Sequence, residues 1–429
     1  MLSKSNHIRT IRDPFSKRNR ISEITNKLGT MSKKIQSMME FKNPIAATYM
    51  RLTQPFFPPP YLGYTEGARS RALNKRALIL YLSRPFYTRK KALTRVHHSN
   101  LQQVIEIGNA FNRLGYVADV VDWLDTTFCP SKHYDVFFGM HHSYERISKQ
   151  LPDSCKKIYY ATGTYWQFEN SAEQQRVQDL KQRRGISLKL PARLSQNKWV
   201  EDADAVIVMG NKFTEGTYKG KNPNIYQIDN SALTPFEPII EKKNYALCRN
   251  NFLAFPSTGL LHKGLDLVLE AFADLKDHTL WVCGPLQSPS EKEFVRLFSK
   301  ELFETPNIQA VGWTDLYSSN FRKVVAACGS IIFPSCAEGS ATGVLTCMRC
   351  GLIPIVSLET GIDTDEFGVT LKNCSVDEIR NAVENLSRLP PTELKQRALT
   401  GISVAKTRYS LQVFGKRMED ILSQILRSE

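Results

Sequence analysis

The chain of 429 residues is 42% hydrophobic, 10% aromatic and 23% charged, with 57 Lys and Arg against 42 Asp and Glu. This length predicts two or three domains with ordinary globular cores, and the aromatic content excludes a wholly disordered chain. No apolar run approaches the roughly 18 residues of a membrane-spanning helix. The first forty residues lack an apolar h-region, so a cleavable secretory signal is not expected either.

The formal net charge of +15 is unevenly placed. Residues 1–95 carry 20 basic and 4 acidic side chains, a net of +16, while the rest of the chain is at −1. Such a segment suits an anionic surface. No recognised nucleic-acid module accompanies the charge, so a membrane surface is expected and nucleic acid is not. Ile21, Ile24, Leu28, Met31, Ile35 and Met38 recur at spacings of three and four among Lys17, Arg18, Arg20, Lys27, Lys33 and Lys34. That pattern predicts a basic amphipathic helix, which suits either a membrane interface or the protein body. Pro55, Pro58, Pro59 and Pro60 mark a stiff linker. Residues 1–75 therefore read as a basic N-terminal extension.

From residue 76 the pattern becomes alternating strand and helix. Short apolar runs at 77–82, 117–121, 135–138, 157–161 and 205–209 predict buried strands, with a helix over 100–113 stopped by Gly115. The rhythm restarts with strands at 251–255, 279–283, 308–311, 330–333 and 352–356. Helices are expected over 265–275, 291–303, 319–327 and 343–350. Near-continuous apolar strands separated by helices predict parallel sheets covered on both faces. The fold class is thus α/β, with two doubly wound Rossmann-like domains, 76–240 and 241–429, facing a cleft. In such folds ligands sit beyond the carboxyl ends of the strands. Nine cysteines without disulfide-like spacing fit a reducing compartment, and Cys347 and Cys350 lack the second pair a zinc site needs.

Two loops of the second domain carry candidate chemistry. Residues 257–264 end in His262, Lys263 and Gly264, which places a lysine at the mouth of a strand–loop–helix unit, within reach of a phosphate. Residues 333–343 run from Phe333 through Pro334, Ser335, Glu338 and Gly339 to Gly343, just before a helix. Small residues let a ligand approach the backbone, and the helix start offers unpaired N–H groups to an anion. A carboxylate beside them is suited to hydroxyls. Anion plus polyol points to a phosphorylated sugar.

Together these loops resemble the GT-B glycosyltransferases of family 4 (glycosyl transferases group 1), retaining enzymes that use nucleotide-sugar donors. The resemblance rests on the Lys263 and Gly264 pair, on the loop Pro334, Ser335, Glu338, Gly339, and on Gly351, Pro354, Ile355 and Val356 after it. Trp281 to Pro285 and Asn307 to Gly312 match as well, so the likeness covers roughly 250–405. It implies that Lys263 binds the donor diphosphate and that Glu338 contacts hydroxyls of the transferred sugar. It implies too that Gly339, Ser340, Ala341, Thr342 and Gly343 cradle the phosphates, and that Trp313 and Thr314 lie near the nucleobase. Lys263 and Glu338 are thus the expected catalytic residues. Three positions depart from the family pattern. Thr258 stands where an arginine is usual, and Thr346 stands at the ribose-binding position of a second glutamate. Thr162 stands where a first-domain histidine is usual. The histidines at 141–142 and 97–98 are its candidate replacements, His141 first. A single hydroxyl at 346 would weaken donor binding by a few kcal/mol unless its contacts are replaced.

The implied activity is that of a hexosyltransferase-type glycosyltransferase (EC 2.4) in polysaccharide biosynthesis. It would move a sugar from a nucleotide-sugar co-substrate to a glycan or glycolipid acceptor, with retention. No metal and no further cofactor are expected. Asp202 and Asp204 precede a strand and should fix a turn, and Asp363 and Asp365 read as a solvated lid. The expected setting is cytoplasmic, with peripheral membrane attachment. The alternative is a GT-B scaffold that has lost catalysis and acts as a binding or partner subunit.

Overall fold

The computed structural model describes residues 58–427 apart from 68–72, 187, 189–193, 195 and 238–242. The helix expected over 21–38 lies outside these residues. The chain divides into two compact units, 1–55 and 56–429, and both sheets lie in the second.

The first sheet has seven strands, β1 (Tyr61–Tyr64), β2 (Lys75–Tyr81), β3 (Tyr116–Asp122), β4 (Val136–Gly139), β5 (Lys156–Ala161), β6 (Ala205–Met209) and β7 (Ile225–Ile228). Their order is β1-β3-β2-β4-β5-β6-β7, and every pair is parallel except β1 with β3. Ala77, Leu78, Ile79 and Leu80 of β2 are fully buried, as a strand covered on both faces requires. Helix α1 (Asn100–Arg113) lays Val104, Ile107, Ala110 and Phe111 onto this sheet and stops at Gly115, whose φ of 94° suits glycine. Strand β1 was not expected from the sequence. Its four residues, one of them glycine, carry too little apolar pattern, yet Tyr61 lies opposite Val120 and Tyr64 opposite Ala118. The first sheet therefore begins before residue 76, where composition alone placed its start.

The second sheet is wholly parallel, with β8 (Asn251–Ala254), β9 (Thr279–Val282), β10 (Ile308–Ala310), β11 (Ser330–Phe333), β12 (Ile353–Ser357) and β13 (Val369–Leu371) in the order β10-β9-β8-β11-β12-β13. The helix expected over 291–303 breaks at Phe298 into Lys292–Leu297 and Ser299–Glu304. Helix α2 (Trp166–Arg184) follows β5, α3 (Leu265–Asp274) follows β8 and α4 (Thr342–Arg349) follows β11. The last helix, α5 (Leu411–Ile425), is capped by Ser410, whose hydroxyl accepts Val413 N–H. Phe414, Met418, Ile421, Leu422 and Ile425 form one face, at spacings of three and four. They pack into the core of the first sheet, so the chain crosses back to the sheet where it began. Each such burial contributes about 2 kcal/mol, and Arg113 pairs with Glu419 at 2.6 Å alongside.

All nine cysteines are free, and most are buried among apolar neighbours. Among the described residues no helix is long and apolar enough to cross a membrane.

Candidate functional site

The carboxyl ends of β8 and β11 lie side by side, because these strands are hydrogen-bonded neighbours. Their loops are laced together. His262 is 1% exposed, and its Nε2 bonds the Ala337 carbonyl at 2.7 Å. The His262 carbonyl accepts Cys336 N–H at 3.0 Å and the Ser335 hydroxyl at 3.3 Å. Gly264 caps α3 with φ of 73°, and a Cβ there would meet the Pro334 carbonyl at 2.3 Å. Only glycine fits, and this close approach sets Lys263 beside the second loop. The Lys263 ammonium donates to the Glu338 carboxylate, which also accepts the Ser335 hydroxyl at 2.8 Å. Both side chains are largely enclosed, so each charge depends on the other for compensation.

The remainder of the second loop meets the first sheet. A Cβ on Gly339 would sit 2.2 Å from the Thr162 carbonyl and 3.1 Å from that of Met209. Thr162 thus offers a backbone carbonyl to the loop at the place where the family resemblance leads one to expect a histidine ring. Asn230 ties the two sheets. Its Nδ2 donates to the Ser340 carbonyl at 2.6 Å and to the Thr342 hydroxyl at 3.0 Å. Its Oδ1 accepts from Gln103 at 2.6 Å, Ser99 at 3.2 Å and its neighbour Ser231 N–H at 2.7 Å. Ser99 Oγ also lies 3.0 Å from Thr342 Oγ1. Helix α4 starts at Thr342 with no side chain capping its first amides, the arrangement that attracts an anion.

The other expected residues are placed as follows. Trp313 is 63% exposed, while Thr314 is buried, with its hydroxyl on the Gly312 carbonyl at 3.2 Å. The His97 ring lies 6.0 Å from that of Trp313 and 5.8 Å from Tyr317, and the Tyr317 hydroxyl donates to the Val96 carbonyl at 2.9 Å. Thr346 does not face the cleft. It is 1% exposed and its hydroxyl accepts Leu233 N–H at 3.2 Å, because its side of α4 packs on the connection between the sheets. His141 follows β4 with φ of 61°, and its ring lies tilted against Trp123, with centroids 4.6 Å apart. Loss of water, with His142 adjacent, pushes its pKa down to about 3, so its ring is neutral at ordinary pH.

Several residues of this site carry no motif. Arg176 of α2 is buried, donates to the Pro334 carbonyl at 3.0 Å and lies 3.9 Å from the fully buried Asp266. Arg408 donates twice to Asp229 at 2.9 Å and reaches Asp363 at 2.9 Å, while Asn211 donates to Asp363 at 2.8 Å. The reading of Asp363 as a solvated lid is therefore corrected, since two partners from distant parts of the chain hold it. Asp204, expected to fix a turn, instead pins the start of β6 to β5, its carboxylate accepting Lys157 N–H at 2.7 Å. Among the described residues no group of three His, Cys, Asp or Glu is placed to hold a metal ion.

Residues 253–388 match the family described as Glycosyl transferases group 1. No curated protein matches the chain in sequence. Sucrose-phosphate synthase from Thermosynechococcus elongatus is similar in structure, with a TM-score of 0.59 at 13% identity, over 83% of this chain and 100% of that one. A glycosyltransferase from Rickettsia africae gives 0.54 at 13% identity over 83% and 100%. HepE of Anabaena, solved in complex with UDP and glucose, gives 0.51 at 12% identity over 81% and 99%. At these identities the structural likeness is one of fold, the two-sheet GT-B architecture.

Proposed function

We propose that this chain, a GT-B glycosyltransferase whose residues 253–388 match the group 1 family, transfers a sugar from a nucleotide diphosphate donor to a hydroxyl of a glycan or glycolipid, with retention and without a metal. One observation carries the reading: an enclosed Lys263 and Glu338 pair stands beside a glycine-rich loop that opens into an uncapped helix start. In this reading Lys263 and the α4 amides neutralise the departing diphosphate, which is the term that most lowers the barrier for such a leaving group. Glu338 accepts hydroxyls of the sugar once the donor phosphate draws Lys263 from it. The acceptor enters from the first sheet, where neutral His141 serves as a hydrogen-bonding group. UDP is the nucleotide to test first, since HepE was solved with it. The basic segment 1–75 would hold the protein at an anionic membrane surface as a peripheral enzyme.

Lys263→Ala and Glu338→Gln should each lower donor turnover roughly 100- to 1000-fold, the range for removing one preorganised electrostatic group. The measurement is release of nucleotide from a panel of nucleotide-sugars. Wild-type rates in either variant with the accepted donor would sink the assignment. The second reading, an inactive scaffold, draws on Thr346, whose hydroxyl is already engaged by Leu233. Titration calorimetry separates the two, because a scaffold without donor function gives no heat with any nucleotide-sugar.

A further inference from the structure

We propose that the folded edge of the first sheet, formed by residues 58–66 and 84–93, is a docking surface for an anionic lipid bilayer. The N-terminal charge excess divides evenly: residues 1–57 hold 11 basic and 3 acidic side chains, and residues 58–95 hold 9 and 1, a net of +8 each. From Gly67 to Ile105 the sequence has no acidic residue. Seven of the nine basic residues of this second half, Lys75, Arg76, Arg84, Arg89, Lys90, Lys91 and Arg95, lie in the described fold. After β2 the chain makes a helical turn at Arg84–Tyr87 and a short helix at Lys90–Leu93. Arg84, Arg89, Lys90 and Lys91 are all exposed there, with Lys90 reaching Glu66 at 3.0 Å.

Two large apolar side chains of the same two segments stand in the open, Leu62 at 53% and Tyr87 at 52% exposure. They are held by a packed base. The Tyr87 hydroxyl donates to the Pro60 carbonyl at 3.1 Å, and the Tyr61 ring lies 5.1 Å from Tyr87 and 5.5 Å from Phe86. Ser83 Oγ donates to the Pro58 carbonyl at 3.4 Å. Exposed apolar tips and exposed Arg and Lys on the same two short segments match a bilayer interface. The cations meet lipid phosphates, tyrosine sits at headgroup depth and leucine enters the acyl boundary. A nucleic acid would answer the charge but leave Leu62 without a partner. Residues 1–57, with 11 basic side chains, directly precede Pro58 in the chain, so a second cationic segment is covalently linked to this patch, and two weak contacts on one chain multiply.

The segment 84–93 continues to Val96 and His97, which meet Tyr317 and Trp313 in the loop after β10, so the patch is followed in the chain by a contact between the two halves of the fold. Docking itself does not depend on the glycosyl-transfer reading; only delivery of a lipid acceptor does.

The test uses the full chain and flotation with two kinds of vesicle, phosphatidylcholine alone and an equal mixture of phosphatidylcholine and phosphatidylglycerol. Wild-type protein should bind the mixed vesicles and not the neutral ones. The triple change Arg89→Gln, Lys90→Gln, Lys91→Gln should lower the partition coefficient roughly a hundredfold. Leu62→Ser with Tyr87→Ser should weaken binding as well and make what remains more sensitive to salt. The three charged positions are exposed, so the triple variant should melt as wild type does, and Leu62→Ser alone controls for the contacts with Pro60 and Tyr61 that Tyr87→Ser removes. Unchanged partition in both variants would assign the lipid contact to residues 1–57 and overturn the proposal. Binding of duplex DNA or RNA by a protein that ignores both vesicles would overturn it too. So would loss of donor turnover in vesicle-free buffer, since that would place these residues in the cleft.

Discussion

The two sheets meet the cleft with different chemistry. On the second sheet's side the site is ionic and local: Lys263 precedes its helix directly, and Glu338 lies on the loop of the neighbouring strand. On the first sheet's side it is long-range and mainly neutral: Ser99, Thr162 and Asn230 meet the same loop through hydroxyl, carbonyl and amide groups, and Gln103 braces Asn230. The charge of Arg176, which donates to the Pro334 carbonyl, lies against buried Asp266. A charged half can change its bonding when an anionic ligand arrives. A neutral half has nothing to exchange with a phosphate, so it is suited to hold the loop in place.

The contrast predicts how each half fails. Removing one member of an enclosed ion pair leaves an uncompensated charge, so Lys263→Met should cost about 3–5 kcal/mol. The double variant Lys263→Met, Glu338→Leu should recover most of that stability while remaining without activity. Urea denaturation of the two singles and the double gives the coupling energy. An additive cycle would mean that the pair is not formed in the free protein, and the ionic half of the comparison would break.

Asn230 tests the neutral half. In Asn230→Ala the Ser340 carbonyl and Gln103 amide lose buried partners, so the expected cost is about 2–3 kcal/mol. The catalytic signature sharpens the point. If Asn230 only positions the loop, Asn230→Ala should raise the donor KM several-fold more than it lowers kcat. Asn230→Asp should be worse than alanine, since its carboxylate would set a buried, uncompensated negative charge against the Ser340 carbonyl oxygen. Equal effects on kcat and KM, or an aspartate variant like wild type, would remove Asn230 from that role.

This division also explains what was legible in the sequence. Both sheets could be read from their apolar strands, because burial on two faces writes itself as continuous Val, Ile, Leu and Phe. The four-residue β1 and the three-residue β13 were too short to leave that trace. Lys263, Gly264, Glu338 and Gly339 were legible because a strand–loop–helix unit forms within a dozen residues. Asn230 with Ser340, Arg176 with Pro334 and Ser99 with Thr342 join positions 110, 158 and 243 residues apart. No local spacing announces such contacts. Asp363 misled for the same reason: its partners Asn211 and Arg408 are remote, so by itself it looks like an exposed turn acid.

The last prediction concerns His141, the first-sheet group nearest in kind to a titrating catalyst. Its folded pKa is about 3, below the 6.5 of a free histidine. Between those values the unfolded chain binds a proton that the folded protein refuses, so stability is lost as pH falls through this window, at up to about 1.4 kcal/mol per pH unit. Buried Asp122 acts in the opposite sense. Burial pushes its pKa up to about 6, so its folded form holds a proton longer and stability falls as pH rises from about 4 to 6. The two slopes largely cancel between pH 4 and 6. His141→Asn keeps a residue type that tolerates φ of 61° and removes only the imidazole titration. Relative to wild type, its stability should therefore fall from pH 4 to 6, while Asp122→Asn should show the opposite difference. Because the imidazole stays neutral from pH 4 upward, the activity of the wild-type protein should show no limb near 6.5 from His141. A wild-type limb there that His141→Asn abolishes would make the first sheet an ionisable partner in the reaction, and the division between a charged half and a neutral half would no longer hold.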